Sequence, residues 1–184
     1  NTLTSDLEAT VHQIHQLEQA GCEIIRVAVP DMAAARAITA IREQIAIPLI
    51  ADIHFDSRLA VAAVEHGAQC IRINPGNLGG PDKLARVVAA ARRHNAPIRV
   101  GVNSGSIEKG LLHEYGYPTP ERPDALIESA LNNVRLLEQQ GFDQIKISIK
   151  SSDTLTTIAG YRRLAARTDY PLHLGVTEAG GLIA

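Results

Sequence analysis

The chain has no tryptophan, and only two phenylalanines and four tyrosines among its 184 residues. That scarcity argues against a surface that stacks nucleic-acid bases on aromatic rings, and it makes the core aliphatic. Charge of one sign is lacking too. Eighteen lysines and arginines face 20 aspartates and glutamates, a net charge of −2, so no global basic field points to nucleic acid. No apolar run approaches the roughly 20 residues of a membrane span. No charged stretch followed by an apolar one opens the chain as a signal peptide would. The expected setting is cytoplasmic, with neither nucleic acid nor membrane as partner. Cys22 and Cys70 are too few for a disulfide framework and form no C-x-x-C pair. Each stands just before a strand-like run, where a small thiol packs well, and no metal site is expected among these residues. What remains is ordinary for a globular chain: 45% hydrophobic and 21% charged residues, long enough for one domain or a large part of one. An opening at Asn1 without methionine predicts a piece of something longer.

A repeat of helix followed by strand runs through the chain. Strand-like runs are expected at Glu23–Val29, Pro48–Ile53, Gln69–Asn74, Pro97–Val102, Asp143–Lys150 and Pro171–Val176. Between them lie amphipathic stretches at helical spacing, such as Val11, Ile14 and Leu17, or Leu126, Ile127, Ala130, Leu131, Val134 and Leu137. Gly21, Gly67 and Gly141 follow helices, Pro48, Pro97 and Pro171 open strands, and Asp56 and Asp124 are helix starters. Strand spacing of about 30 residues is the length of one βαβ unit, which predicts a parallel sheet flanked by helices. A doubly wound sheet and a (β/α)8 TIM barrel compete. The first strand is followed by Val29-Pro30-Asp31, not by the glycine fingerprint of a dinucleotide fold. Strand ends carry polar residues in nearly every unit, as in barrels whose chemistry gathers at the C-terminal face. The expectation is an α/β chain forming an incomplete (β/α)8 barrel, with about six strands and the first and last missing. The long connection from Asn103 to Arg122 is either a lid over that face or a surface helix.

Side chains alternate along a strand, so one face can be read directly. Ile71 and Ile73, then Ile98, Val100 and Val102, then Ile145, Ile147 and Ile149 fall on one face and must meet the helices. The opposite face carries Arg26; Asp52 and His54; Arg72 and Asn74; Arg99 and Asn103; and Lys146, Ser148 and Lys150. Five cations against Asp52, with Glu178 reaching in from the last strand, leave positive charge unmatched. Buried unpaired charge costs several kcal/mol per ion, which points to an anion of more than one charge, a phosphate or diphosphate. Salt bridges to loop carboxylates are the bland alternative. His54, Asn74, Asn103 and Ser148 can hydrogen-bond oxygens of a polyol or phosphate. His54 is a general acid or a satisfied core histidine, and His173 is read as structural. The run Asn74–Gly80 ahead of a helix near Pro81 offers backbone amides to an anion.

Six segments in order carry a family resemblance: Val27–Pro30, Ala51–Phe55, Arg72–Asn77, Gly101–Ser106, Lys146–Asp153 and Leu174–Gly181. Together they resemble the 4-hydroxy-3-methylbut-2-enyl diphosphate synthase family, over the whole chain. The resemblance implies a TIM-barrel domain joined to a second domain with a [4Fe-4S] cluster, whose ligands are not in this chain. It implies two-electron reductive ring opening and dehydration of 2-C-methyl-D-erythritol 2,4-cyclodiphosphate, with flavodoxin or ferredoxin as donor. A homodimer is implied for the full-length protein, one subunit's barrel capped by its mate's cluster domain. Residues 1–184 are then a partial substrate-binding barrel, inactive alone. By position, Arg26, Arg72, Arg99 and Lys150 match the family's diphosphate-binding cations. His54, Asn74, Asn103 and Ser148 match its polar shell, and Lys146 joins the substrate-binding set from its place on the same face. Glu178, His54 and Asp52 are the candidate catalytic groups. The body of the first strand is missing, and Leu182-Ile183-Ala184 departs from the family pattern. A barrel that binds diphosphate without turnover, or a pterin- or phosphosugar-type barrel enzyme, are the alternatives. The full Lys146–Asp153 and Leu174–Gly181 segments argue against the last.

Overall fold

A computed structural model describes residues 2–175. Helices α1 (Leu7–Gln19), α2 (Met32–Arg42), α3 (Ser57–Glu65) and α4 (Pro81–Arg93) alternate with strands β1 (Ile25–Ala28), β2 (Leu49–Asp52), β3 (Cys70–Ile73) and β4 (Ile98–Asn103). The short α5 (Lys109–Tyr115) and long α6 (Asp124–Gln139) then precede β5 (Ile145–Lys150) and α7 (Thr154–Ala165). Helix starts are set by carboxylates. Asp6, Asp31, Asp56 and Asp153 each accept a backbone N–H of the first turn, from Ala9, Ala34, Arg58 and Thr156, which satisfies one of the orphan donors there. Asp124 is not a cap: Pro123 holds that position and Asp124 lies inside the first turn of α6. At the end of α4, Asn95 (φ 52°) adopts the left-handed backbone that Gly67 (φ 100°) takes after α3. Asparagine and glycine are the residues that enter this region most readily.

All pairings are parallel, and the sheet order is β1-β2-β3-β4-β5. A doubly wound sheet reverses its strand order at a switch point; this one never reverses, so the winding is that of a barrel. Among the described residues five strands form where six were expected. The run at Pro171–Val176 contributes a single parallel bridge, Leu172 to Ile147, against the open side of β5. It therefore lies in the sixth place in order, and Val176 is outside the described residues.

The aliphatic face packs as its alternation predicts. Ile71, Ile73, Ile98, Val100, Val102, Ile147 and Ile149 are fully buried in one cluster with Ile38, Ile41, Val87, Leu126 and Leu137 from the helices. Each such side chain contributes about 1.5–3 kcal/mol. Ile50, on the other face of β2, is buried but stands outside that cluster. The connection after β4 holds a 3-10 turn at Ser104–Ser106 and then α5, which buries none of its residues and packs on α6. It is a surface helix. Cys22 and Cys70 are half-buried free thiols, with Cys70 the first residue of β3 rather than ahead of it. No helix among the described residues is long and apolar enough to cross a membrane.

Candidate functional site

Register assembles the polar face. Asp52 pairs with Arg72, Arg72 with Arg99, Arg99 with Lys146, and further up Gly101 with Ser148 and Asn103 with Lys150. Neighbouring strands lie about 4.8 Å apart, so three cations stand side by side across β3, β4 and β5. Arg26, Asp52, His54, Arg72, Asn103, Ser148 and Lys150 line one cavity of about 260 Å³. Arg99, Lys146 and Asn74 do not line it. Arg99 and Lys146 sit below it on β4 and β5, while Asn74 is buried beside the loop that follows β3. Glu178 lies outside the described residues.

Arg72 is the hub. Its Nη1 donates to Asp52 Oδ1 at 3.1 Å and its Nη2 to the Gly101 carbonyl at 3.1 Å. Nη1 also lies 3.2 Å from His54 Nδ1. A guanidinium has only donors, so this contact requires a lone pair on Nδ1. Donor logic thereby assigns His54 as neutral with its proton on Nε2, which stands 3.7 Å from Asp52 Oδ1. Arg26 Nη1 takes the second oxygen of Asp52 at 3.4 Å. The Gly101 position makes room for this hub. A Cβ there would fall 2.2 Å from Arg72 Nε, so any side chain displaces the guanidinium.

The β4–β5 side is different. Among the described residues no carboxylate pairs with Arg99, Lys146 or Lys150. Arg99 is 3% exposed and its Nε has no hydrogen-bond partner. Burial, then Arg26, pulls its affinity for its proton below the ordinary guanidinium value. Lys150 is lowered by burial first, then by Arg26, Arg99 and Arg72. The His173 imidazole is pushed down to about 4, by burial and then by Arg99, Lys146, Lys150 and Arg26. In all three groups burial acts first and the neighbouring cations add to it; an anion of two or more charges would offset that second part.

Of the site residues expected from sequence, the structure brings Arg26, Asp52, His54, Arg72, Asn103, Ser148 and Lys150 together around this cavity. Two further residues bear on the same face. His173 was read as structural, yet period-two alternation from Leu172 and Leu174 puts it on the polar face. Gly101 was aligned on that face without a role, although glycine inside a strand marks close approach. One expectation is corrected. The loop after β3 does not offer its amides to an anion at Gly76, Asn77 or Leu78. Gly76 N–H donates to Asn133 Oδ1 at 2.7 Å, and those of Asn77 and Leu78 close the turn on Asn74 and Pro75 carbonyls.

Residues 1–184 match the family described as GcpE TIM-barrel domain. The chain belongs to that family. It is 68% identical over its whole length to the 4-hydroxy-3-methylbut-2-en-1-yl diphosphate synthase (flavodoxin) of Desulfotalea psychrophila, covering 50% of that protein. Enzymes of the same name from Caldicellulosiruptor saccharolyticus and Geobacter sulfurreducens are 59% and 58% identical, covered to 52% and 51%. The chain thus spans about half the length of these curated relatives. Among solved structures it resembles the Yersinia pestis dihydropteroate synthase (TM-score 0.61, 12% identity, 91% of this chain and 65% of that one). It also resembles a putative phosphonomutase from Burkholderia cenocepacia (TM-score 0.59, 16% identity, 94% and 77%). At such identities the likeness is one of fold.

Proposed function

We propose that the polar lumen holds the diphosphate of 2-C-methyl-D-erythritol 2,4-cyclodiphosphate for reductive opening to 4-hydroxy-3-methylbut-2-enyl diphosphate, with flavodoxin as the electron donor of the whole enzyme. The names of the relatives support the product and the donor. The observation that carries the reading is the β4–β5 side of the lumen, where buried Arg99 and half-buried Lys146 and Lys150 face no carboxylate among the described residues. Opening a cyclic diphosphate at a carbon–oxygen bond leaves a further negative charge on the released oxygen. Fixed cations aimed at that oxygen favour the charge as it develops. Asp52 fixes two of them by pairing with Arg26 and Arg72, and so serves as their anchor. His54 keeps a proton on Nε2 for an oxygen in the cavity. Asn103 and Ser148 orient the ligand's oxygens, and Glu178 is assigned to the reacting carbons by resemblance.

An iron–sulfur cluster does not fit the described residues. Clusters are held mainly by cysteine thiolates, while Cys22 and Cys70 begin separate repeats, and no group of three or more cysteine, histidine or acidic residues converges. The reading therefore assigns these residues to substrate binding and proton placement, in a cytoplasmic homodimer whose cluster is held elsewhere in the protein. The test is calorimetric titration of the full-length enzyme with the cyclic diphosphate. Lys150 lines the cavity, and a charge-assisted contact is worth about 1.5–3 kcal/mol, so Lys150→Ala is expected to weaken binding roughly ten- to a hundredfold. Wild-type affinity in a folded Lys150→Ala variant overturns the assignment.

A further inference from the structure

Helix α6 carries an apolar stripe, and Asn133 lies in the middle of it, 1% exposed. A polar side chain is retained at such a place when it has partners, and here they lead to the site. Asn133 Oδ1 accepts the Gly76 N–H at 2.7 Å, and its Nδ2 donates to Glu108 Oε1 at 3.4 Å and to the Ser129 carbonyl at 2.8 Å. Gly76 belongs to the loop after β3, two residues beyond Asn74. Glu108 belongs to the segment after β4, five residues beyond Asn103. One carboxamide on a helix thus ties both loops that carry the asparagines of the polar face.

The surroundings show that the tie is built. Glu108 stands at the N-cap position of α5 but makes no cap hydrogen bond with its side chain; it reaches to Asn133 instead. Between Asn103 and Glu108, the Ser106 hydroxyl bonds both the N–H and the carbonyl of Asn103, and Ile107 is buried. The segment is therefore a short, anchored strut. A Cβ at Gly76 would lie 3.2 Å from Asn133 Oδ1, 3.6 Å from Asn74 Oδ1 and 3.9 Å from Glu108 Oε1. Both asparagines and the glutamate converge on this one backbone position. Asn74 Oδ1 has no partner and is fully buried, so the loop's placement, and not a bond of its own, fixes the direction of that carboxamide.

We propose that Asn133 is a positioning residue: through Gly76 and Glu108 it locks the loops after β3 and β4 together, so that Asn103, which lines the cavity, meets the ligand in a preset place. The inference rests on the reading of the lumen as a diphosphate site. Asn133→Asp keeps the acceptor for Gly76 but sets a carboxylate against Glu108, where Asn133 now donates. Two close carboxylates hold one proton more tightly than either alone, so acidification restores a donor between them. Adding Glu108→Gln restores one at every pH.

The experiment measures binding of the cyclic diphosphate to the full-length enzyme from pH 8 to pH 6, with hydrogen exchange of both loops followed by mass spectrometry in ligand-free protein. Asn133→Asp is expected to weaken binding about tenfold at pH 8, with the deficit relative to wild type shrinking toward pH 6. The Asn133→Asp, Glu108→Gln double variant returns to within about twofold. Exchange should quicken in both loops of the single variant and recover in the double. Wild-type affinity at pH 8, a deficit independent of pH and unrescued by the second change, or faster exchange in only one loop overturns the proposal. If the wild-type enzyme fails to bind the cyclic diphosphate, the lumen reading falls; the exchange of the two loops still decides whether Asn133 couples them.

Discussion

On the first three strands, Arg26 and Arg72 share Asp52; on β4 and β5, Arg99, Lys146 and Lys150 share nothing of opposite charge among the described residues. The two halves of one lumen thus solve the burial of cations in opposite ways. On the β1–β3 half Asp52 stands between two cations, which leaves a net charge of +1 but gives buried Arg72 its counter-ion within the fold. The β4–β5 half is left positive, which is unfavourable until an anion arrives. Breaking the pair on the first half should harm the fold, while removing a cation from the second should spare the fold and harm binding.

The largest expected effect is on the paired half. Asp52→Ala leaves the buried Arg72 guanidinium without its carboxylate, and breaking a buried pair in this way costs about 3–5 kcal/mol. Denaturant unfolding of the full-length protein measures it. An unchanged midpoint would show that the pair carries no stability. On the open half the sign reverses. Replacing buried Arg99 by methionine removes an uncompensated ion and keeps its volume, so ligand-free stability should hold or rise by about 1–4 kcal/mol. A large loss of stability in Arg99→Met would mean that Arg99 has a stabilising partner.

Gly101→Ala sharpens the comparison, because β4 is where the halves meet. The added methyl displaces Arg72 from both Asp52 and the Gly101 carbonyl, at an overpacking cost of about 1–3 kcal/mol. In an Asp52→Ala background that cost should shrink, since the two changes act on the same guanidinium. Strict additivity in the double-mutant cycle would place the methyl's effect elsewhere.

The division between faces was legible in the sequence because strand alternation is a strict period of two. Ile98, Val100 and Val102 against Arg99 and Asn103 cannot be assigned otherwise once β4 is recognised. What sequence could not supply was which cations meet Asp52. That depends on parallel register, which sets Arg72 between Asp52 and Arg99, and on the empty Cβ position of Gly101. The Gly76 amide was misread for a similar reason, since its acceptor on α6 is 57 residues away. Asn133 did leave a trace: it falls within the buried stripe formed by Leu126, Ala130, Val134 and Leu137, and a polar residue there asks for a partner.

The smallest effect is the pH dependence that the open half imposes through His173. Its folded-state pKa, about 4, lies below the ordinary 6.5. Between those values the unfolded chain binds a proton that the folded chain does not, so stability falls as pH drops from about 7 toward 4. His173 is partly exposed, and solvent screening keeps the effect modest. If the lumen holds the cyclic diphosphate as proposed, the bound ligand should offset the charge of Arg99, Lys146 and Lys150 and let the imidazole recover its proton. Its two phosphates are doubly esterified or anhydride-linked, so the ligand itself takes up no proton near pH 5.5. Calorimetric titration at pH 5.5 in two buffers of different ionisation enthalpy should therefore reveal proton uptake on binding by the full-length enzyme. That uptake should diminish in His173→Gln and vanish near pH 8. Equal binding enthalpies in both buffers at pH 5.5 would show that the ligand does not neutralise the β4–β5 half, and the contrast between the two sides of the lumen would then lose its functional meaning.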